Sequence, residues 1–323
     1  MKIAFIGLGN VGGKLAGSLL RNGFELSVRD LDAAAAAPLL ERGARFGDSP
    51  KAMAAWADTV ITCLPSPAVS AQVMEASDGV LAGMASGTDR KLWLEMSTTD
   101  EYEARRLGEK VAAAGGLPLD APVSGGCHRA ATGNISIFVG GERATFEMAL
   151  PALTAMGRRV LHTGALGSAS ILKVVTNYLA TANLVSLCEA LVTAKAAGMD
   201  LNTAYEAVRI SSGNSFVHET ESQVILNGSR DINFTMDLVC KDIGMFSAVA
   251  ERGGVALELA PLLVDIFRDG AQKYGAREWS PNIIKRLEDA CGITVRAPGF
   301  PAQIVDTEIE SPGYEVKVER GAE

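Results

Sequence analysis

The sequence of 323 residues is 48% hydrophobic and 21% charged, enough chain and apolar surface for two domains with substantial cores. Its formal charge of −8 and the lack of any Lys/Arg run exclude general attraction to nucleic acid or acidic membrane surfaces. Five scattered cysteines without a CxxC pair and three scattered histidines give no metal-ligand signature, so no metal is expected, and the setting reads as reduced and cytoplasmic.

The chain opens on "KIAFIG" (2–7), a short apolar strand signal, and the glycines after it start a helix at 11–22. This opening lacks the longer apolar stretch and small-residue cleavage site of a secretory signal, so none is expected. Strand signals follow at "ELSVRD" (25–30), "DTVITCLP" (58–65), "KLWLEMST" (91–98), "LPLDAP" (117–122), "ISIFVGG" (135–141) and "RVLHTG" (159–164). Helical stretches at 50–56, 67–76 and 100–114 lie between them. Several strand runs are apolar without alternation, as expected where both faces of a parallel sheet are covered. This punctuation predicts an α/β domain over residues 1–164, built on an open sheet.

After Gly164 helical periodicity takes over. It begins with "GSASILKVVTNYLATANLVSLCEA" (167–190) and continues through "MDLNTAYEAVRIS", "SFVHETESQVILNG", "FTMDLVCKDIGMFSAVAERGG" and "ELAPLLVDIFRDGAQKYG", each a helix with a stop signal. An all-α C-terminal domain over 165–290, beginning with a long interdomain helix, is expected, followed by an irregular tail over 291–323. The run 168–188 is long enough to span a bilayer, but Lys173, Asn177, Asn183 and several Ser/Thr interrupt it. A helix buried in protein, and no membrane, is the expectation. The apolar surface of this half predicts a homodimer or homotetramer.

The glycine loop points to a cofactor. Gly7, Gly9 and Gly12 form G-x-G-x-x-G, with Leu8, Asn10 and Val11 between them, directly after a strand and at the start of a helix. The first glycine permits a tight turn, the second lets backbone approach a pyrophosphate, and the third lets helix pack close to strand. The helix start offers N–H groups and a positive dipole end to phosphates. Asp30 stands 23 residues after Gly7, where an acidic residue accepts bonds from the adenosine ribose. These features predict an N-terminal Rossmann dinucleotide-binding domain. A carboxylate at Asp30 followed by Leu31 favours NAD over NADP, because it would repel a 2′-phosphate. Arg29 beside it keeps NADP in play.

Lys173 is the only full charge between Arg159 and Glu189. A lone buried ammonium is costly unless it is paired or loses its proton. On the helix alone it reads equally as a lysine snorkelling to solvent or as a working group with a lowered pKa.

The loop at 7–12, "LEMSTTD" (94–100), "DAPVSGG" (120–126), the Gly167–Lys173–Asn177 spacing and "KD" (Lys241–Asp242) occur in that order. Together they resemble the β-hydroxyacid dehydrogenases, the 3-hydroxyisobutyrate dehydrogenase family, from residue 1 to about 290. The resemblance implies an NAD-dependent oxidoreductase that moves a hydride between a small 3-hydroxy acid, or its semialdehyde, and the nicotinamide. It makes Lys173 the acid/base on the substrate hydroxyl and Asn177, one turn on, a residue that holds the substrate. Ser124, Gly125 and Gly126 would bind the substrate carboxylate through a hydroxyl and backbone N–H groups. Thr98, Leu64 and Pro65 would lie along the cofactor. Lys241 would approach its nicotinamide end, although a helix lysine paired with an acid reads nearly as well.

Three departures bear on the substrate. Thr176–Asn177 replaces the family's usual asparagine pair, Gly133–Asn134–Ile135 stands where Gly-Thr-Leu is common, and His218 lies in a segment that shapes substrate access in relatives. An isolated histidine there reads first as a surface or capping residue. The acid itself is left open among 3-hydroxyisobutyrate, 3-hydroxypropionate, serine, threonate, tartronate semialdehyde and succinic semialdehyde. Two other functions compete: a non-catalytic dinucleotide-binding sensor or scaffold, and an imine reductase-like enzyme. The presence of Lys173 weighs against both.

Overall fold

Alternation within the first apolar run sets the sheet. In strand β1 (Lys2–Ile6), Ile3 and Phe5 face one side and Ala4 and Ile6 the other, and all four are buried. Ile3 and Phe5 join a cluster with Leu15, Leu19, Leu26 and Val28, whereas Ala4 and Ile6 join Met53, Val60, Met74 and Trp93. A sheet apolar on both faces must be covered on both, and the intervening helices do this. Burying a side chain as fully as Phe5 contributes about 2–3 kcal/mol.

The computed structural model describes residues 1–85 and 90–318. They form two compact units: Met1–Lys173 together with the chain from Asp306 onward, and Val174–Val305.

In the first unit, β2 (Glu25–Arg29), β3 (Arg45–Phe46), β4 (Thr59–Thr62), β5 (Leu92–Glu95) and β6 (Leu117–Asp120) follow β1. Then come β7 (Val123–Ser124), β8 (Ser136–Gly140), β9 (Arg159–Gly164) and β10 (Tyr314–Glu315). The sheet order is β10-β9-β8-β6-β5-β4-β1-β2-β3, with β7 paired to β8. The order reverses at β1, which lies between β2 and β4, and ligands of such sheets bind outside the strand carboxyl ends at that point. β1 to β6 run parallel to one another. The far end departs from a purely parallel sheet: β8 runs antiparallel to β6 and β7, and β9 and β10 follow the direction of β8. Residues 125–135 connect β7 to β8, too short a stretch for the crossover that a parallel pair needs.

The second unit is helical. After the long helix Ser168–Ala196 come Leu201–Arg209, Phe216–Asn227, Met236–Arg252 and Leu259–Tyr274. They surround a core that includes Leu187, Leu191, Ile225 and Phe267. The division between the units falls within the long helix, after Lys173, rather than at residue 164.

The tail differs from the irregular segment expected. From Asp306 it rejoins the first unit, and Tyr314–Glu315 pairs with Arg159–Val160. Without this strand β9 would be an open edge with unpaired backbone groups, which gives the pairing its physical reason. Residues 319–323 of the expected tail lie outside the described residues.

Candidate active site

The glycine loop is shaped by close approach. A Cβ on Gly7, at φ +98°, would stand 2.2 Å from the Cys63 carbonyl oxygen, and one on Gly12 would stand 2.1 Å from that of Gly7. Gly9 differs: a Cβ there would meet no atom within 4 Å, so the middle glycine presents bare backbone to open space. Asn10 is exposed and Val11 half-buried ahead of helix Gly12–Arg21, which has no acidic residue in its first turn. Its positive dipole end therefore keeps its attraction for an anion. Asp30, just past β2, accepts the Leu8 N–H at 2.6 Å through Oδ2 and the Asp32 N–H at 3.0 Å through Oδ1. The carboxylate is thus tied to the start of the loop. Leu31 is 99% exposed, and Arg29 Nη1 donates to the Gly47 carbonyl at 2.8 Å.

Two further strand ends meet beside this loop. The Leu64 N–H donates to Ser97 Oγ at 2.7 Å, and the Ser97 N–H donates to Glu95 Oε1 at 2.9 Å. This chain fixes the Leu64–Pro65 turn against the segment that carries Thr98. Glu95 is buried, and burial pushes its carboxyl above the ordinary range despite the bond from Ser97. Burial likewise pushes the Cys63 thiol up to about 12, so that sulfur is no nucleophile near neutral pH.

The third element is the loop after β6. Ser124 pairs with Ser136, and Gly125 and Gly126 take φ of +127° and +84°, a conformation that favours glycine at both positions. Helix Gly126–Thr132 follows. Asp120, fully buried at the end of β6, accepts the Gly167 N–H at 2.8 Å and the Ser170 N–H at 2.7 Å. The Ser170 hydroxyl adds a third bond at 2.9 Å. These satisfy donors at the start of the long helix, one turn before Lys173. Burial raises the Asp120 carboxyl against the three bonds that favour its ionised form. Lys173 is only 9% exposed.

In the second unit, Asn177 Nδ2 donates to Asp242 Oδ2 at 2.6 Å, and Lys241 Nζ stands 2.7 Å from Asp242 Oδ1. The lysine contact lacks the directed geometry of a hydrogen bond and is an ion pair. A single buried carboxylate, 2% exposed, therefore connects two of the residues singled out from the sequence. His218 is neither on the surface nor a cap. It is 1% exposed, with Nε2 at 3.0 Å from the Tyr205 carbonyl and Nδ1 at 2.8 Å from Ser222 Oγ, and burial lowers its pKa. Both ring nitrogens serve the core, and Ser215 Oγ caps the helix instead. Among the described residues no group of three or more His, Cys, Asp or Glu is placed to hold a metal ion.

Four residues escaped the sequence reading. Asp120 and Asp242 sit inside the quoted motifs "DAPVSGG" and "KD", and Glu95 and Ser97 inside "LEMSTTD". An acidic residue at the end of an apolar strand or beside a helix lysine was the available signal, but only coordinates show what it holds.

Two family descriptions match the chain: the NAD-binding domain of 6-phosphogluconate dehydrogenase over residues 2–164, and the NAD-binding region of NADP-dependent 3-hydroxyisobutyrate dehydrogenase over residues 167–287. The chain is 34% identical to 2-(hydroxymethyl)glutarate dehydrogenase of Eubacterium barkeri, over 91% of this chain and 97% of that protein. It is 33% identical to the NAD-dependent L-serine dehydrogenase of Pseudomonas aeruginosa, over 89% and 98%. The crystal structure of 3-hydroxyisobutyrate dehydrogenase from Salmonella typhimurium superposes with a TM-score of 0.81 at 27% identity, over 88% of this chain and 99% of that one.

Proposed function

This chain belongs to the 3-hydroxyisobutyrate dehydrogenase-like β-hydroxyacid dehydrogenases, NAD(P)-dependent oxidoreductases of small hydroxy acids and semialdehydes, and on that premise we propose that it interconverts a 2-substituted 3-hydroxypropionate and its semialdehyde with NAD. The compounds named for its relatives share the skeleton HOCH₂–CH(R)–COO⁻, where R is a propionate arm, an amine or a methyl. A carboxylate-binding loop, a proton carrier at the hydroxyl and a variable pocket for R would serve all three.

The residues fit a bound dinucleotide. The bare backbone at Gly9 would let a pyrophosphate approach, Asp30 would hold a ribose hydroxyl, and the Leu64–Pro65 turn and Thr98 would flank the cofactor at the neighbouring strand ends. When bound, NAD supplies the hydride acceptor at its nicotinamide ring. Asp30 with Leu31 favours NAD, and one N–H of the Arg29 guanidinium is already taken up by the Gly47 carbonyl.

Ser124 and the backbone of Gly125 and Gly126 would hold the substrate carboxylate. Lys173 Nζ would take the hydroxyl proton in oxidation and return it in reduction, and Asn177 would orient the substrate. One observation carries this reading: the buried lysine stands one turn inside a helix whose start is fixed by three bonds to Asp120. A lysine that snorkelled to solvent would be far more exposed than 9%. Turnover of 3-hydroxyisobutyrate, L-serine and 2-(hydroxymethyl)glutarate, followed as NADH or NADPH formation, tests the function. At least one acid should react faster with NAD; NAD binding without turnover of any would overturn the reading.

The assembly would be a homodimer or homotetramer. The long helix leaves Leu172 and Leu179 exposed at 39% and 54%, although its hydropathy is that of a core or membrane helix. A light-scattering mass at the single-chain value of 33.8 kDa would contradict this. All five cysteines are free, which supports a reducing, cytoplasmic location.

A further inference from the structure

The chain from Asp306 onward does more than cover an edge. Asp306 Oδ2 accepts from Thr132 Oγ1 at 2.5 Å and from Asn134 Nδ2 at 2.8 Å, and Asn134 also donates to the Glu308 carbonyl at 2.7 Å. The Glu308 carboxylate pairs with Arg159 at 2.9 Å and lies 3.7 Å from Arg129. Thr132 ends the helix that Gly126 begins, and the Asn134 N–H closes it by donating to the Arg129 carbonyl at 2.9 Å. The same Arg129 packs its stem over Gly125, where a Cβ would lie 3.3 Å from Cδ. One end of this short helix is therefore the substrate loop, and the other end is held by the C-terminal segment.

The segment itself is seated closely. A Cβ on Gly313 would stand 2.2 Å from the Gly157 carbonyl oxygen. Directly after it the Tyr314 N–H donates to the Arg158 carbonyl at 2.9 Å and the Val316 N–H to the Val160 carbonyl at 2.8 Å. The Asn134 amide is the donor that reaches both Asp306 and the Glu308 carbonyl. The matched family regions end at residue 287, so Asp306 and Glu308 lie beyond them, whereas their partners Thr132, Asn134, Arg129 and Arg159 lie within the first.

We propose that Asp306 and Glu308 are positioning residues for the substrate loop Ser124–Gly126, acting through Thr132, Asn134 and Arg129. The inference rests on the assignment of that loop to the substrate carboxylate. With both ends of the helix fixed, Gly125 and Gly126 hold their backbone N–H groups in one orientation before substrate arrives, which lowers the ordering cost of binding.

Hydrogen exchange on the full-length protein without substrate tests the positioning itself. Asp306→Ala should raise exchange across 124–132 by roughly tenfold, while β1 and β4 keep wild-type protection. Asp306→Asn retains an acceptor oxygen for Thr132 and Asn134 and should restore most of the protection. Thr132→Val removes the donor from the other side and gives the same test if the alanine variant fails to fold. With 3-hydroxyisobutyrate as the probe, Asp306→Ala should raise the substrate KM by roughly fivefold or more, with kcat and the NAD KM within about twofold of wild type. Unchanged exchange in 124–132, or a uniform rise over the whole first unit, would overturn the proposal. Increased local exchange in a protein that turns over no hydroxy acid would leave the positioning standing and refute the assigned activity instead.

Discussion

Asn177 and Asp242 are joined by a 2.6 Å hydrogen bond, from the amide Nδ2 of one to the carboxylate Oδ2 of the other. The bond sets which way the amide points, since a carboxylate oxygen accepts and so turns Nδ2 toward itself. Lys241 lies against the other oxygen, so the carboxylate holds two groups with one buried charge. Asp242→Ala removes the bond to Asn177 and the ion pair to Lys241, and hydrogen bonds to charged groups are worth about 1.5–3 kcal/mol. We expect kcat/KM for the hydroxy acid to fall by roughly tenfold or more, with the NAD dissociation constant raised by less, since of the two partners only Lys241 would approach the cofactor. A steady-state comparison with a fluorescence titration of NAD checks this.

Cofactor choice should follow Asp30. Its carboxylate orders the loop through the Leu8 N–H and would repel a 2′-phosphate. Asp30→Ala is expected to lower the ratio of kcat/KM with NAD to that with NADP by roughly tenfold or more, mostly through a higher KM for NAD. Paired kinetics with the two dinucleotides give the answer.

Glu221 makes stability depend on pH. Among the described residues its buried Oε2 has no hydrogen-bond partner, and burial pushes the carboxyl from 4.5 up to about 8. Between those values the folded protein keeps a proton that the unfolded chain has released. Stability from this group therefore falls as pH rises from 4.5 to about 8 and levels off above that. Glu221→Gln, neutral throughout, should be more stable than wild type by on the order of 3 kcal/mol at alkaline pH and nearly equal below the unfolded value. Denaturant melts at the two pH extremes read the difference.

Much of this architecture was legible in the chain. The apolar runs at 2–7, 25–30, 58–65 and 91–98 became β1, β2, β4 and β5, because strands buried on both faces need apolar residues on both. The glycine pattern was equally plain, since close approach at Gly7 and Gly12 tolerates no other side chain. What sequence spacing did not carry was pairing between distant segments. Nothing in "GYEVKVE" says that Tyr314 and Glu315 will pair with a strand more than a hundred residues earlier, and nothing near Asp120 says that its partners are Gly167 and Ser170. His218 was misplaced for the same reason: its isolation in sequence hid the Tyr205 carbonyl and the Ser222 hydroxyl that take up both ring nitrogens.

The central claim concerns Lys173, and its replacement by alanine tests it most directly. A buried proton carrier at the reacting hydroxyl accounts for roughly 10²–10⁴ in rate. Lys173→Ala should therefore bind NAD with the wild-type dissociation constant and lose kcat by that factor on whichever acid the wild type oxidises. A folded variant with wild-type affinity for NAD and kcat within about threefold of wild type would contradict the account, since the proton would then be carried by another group.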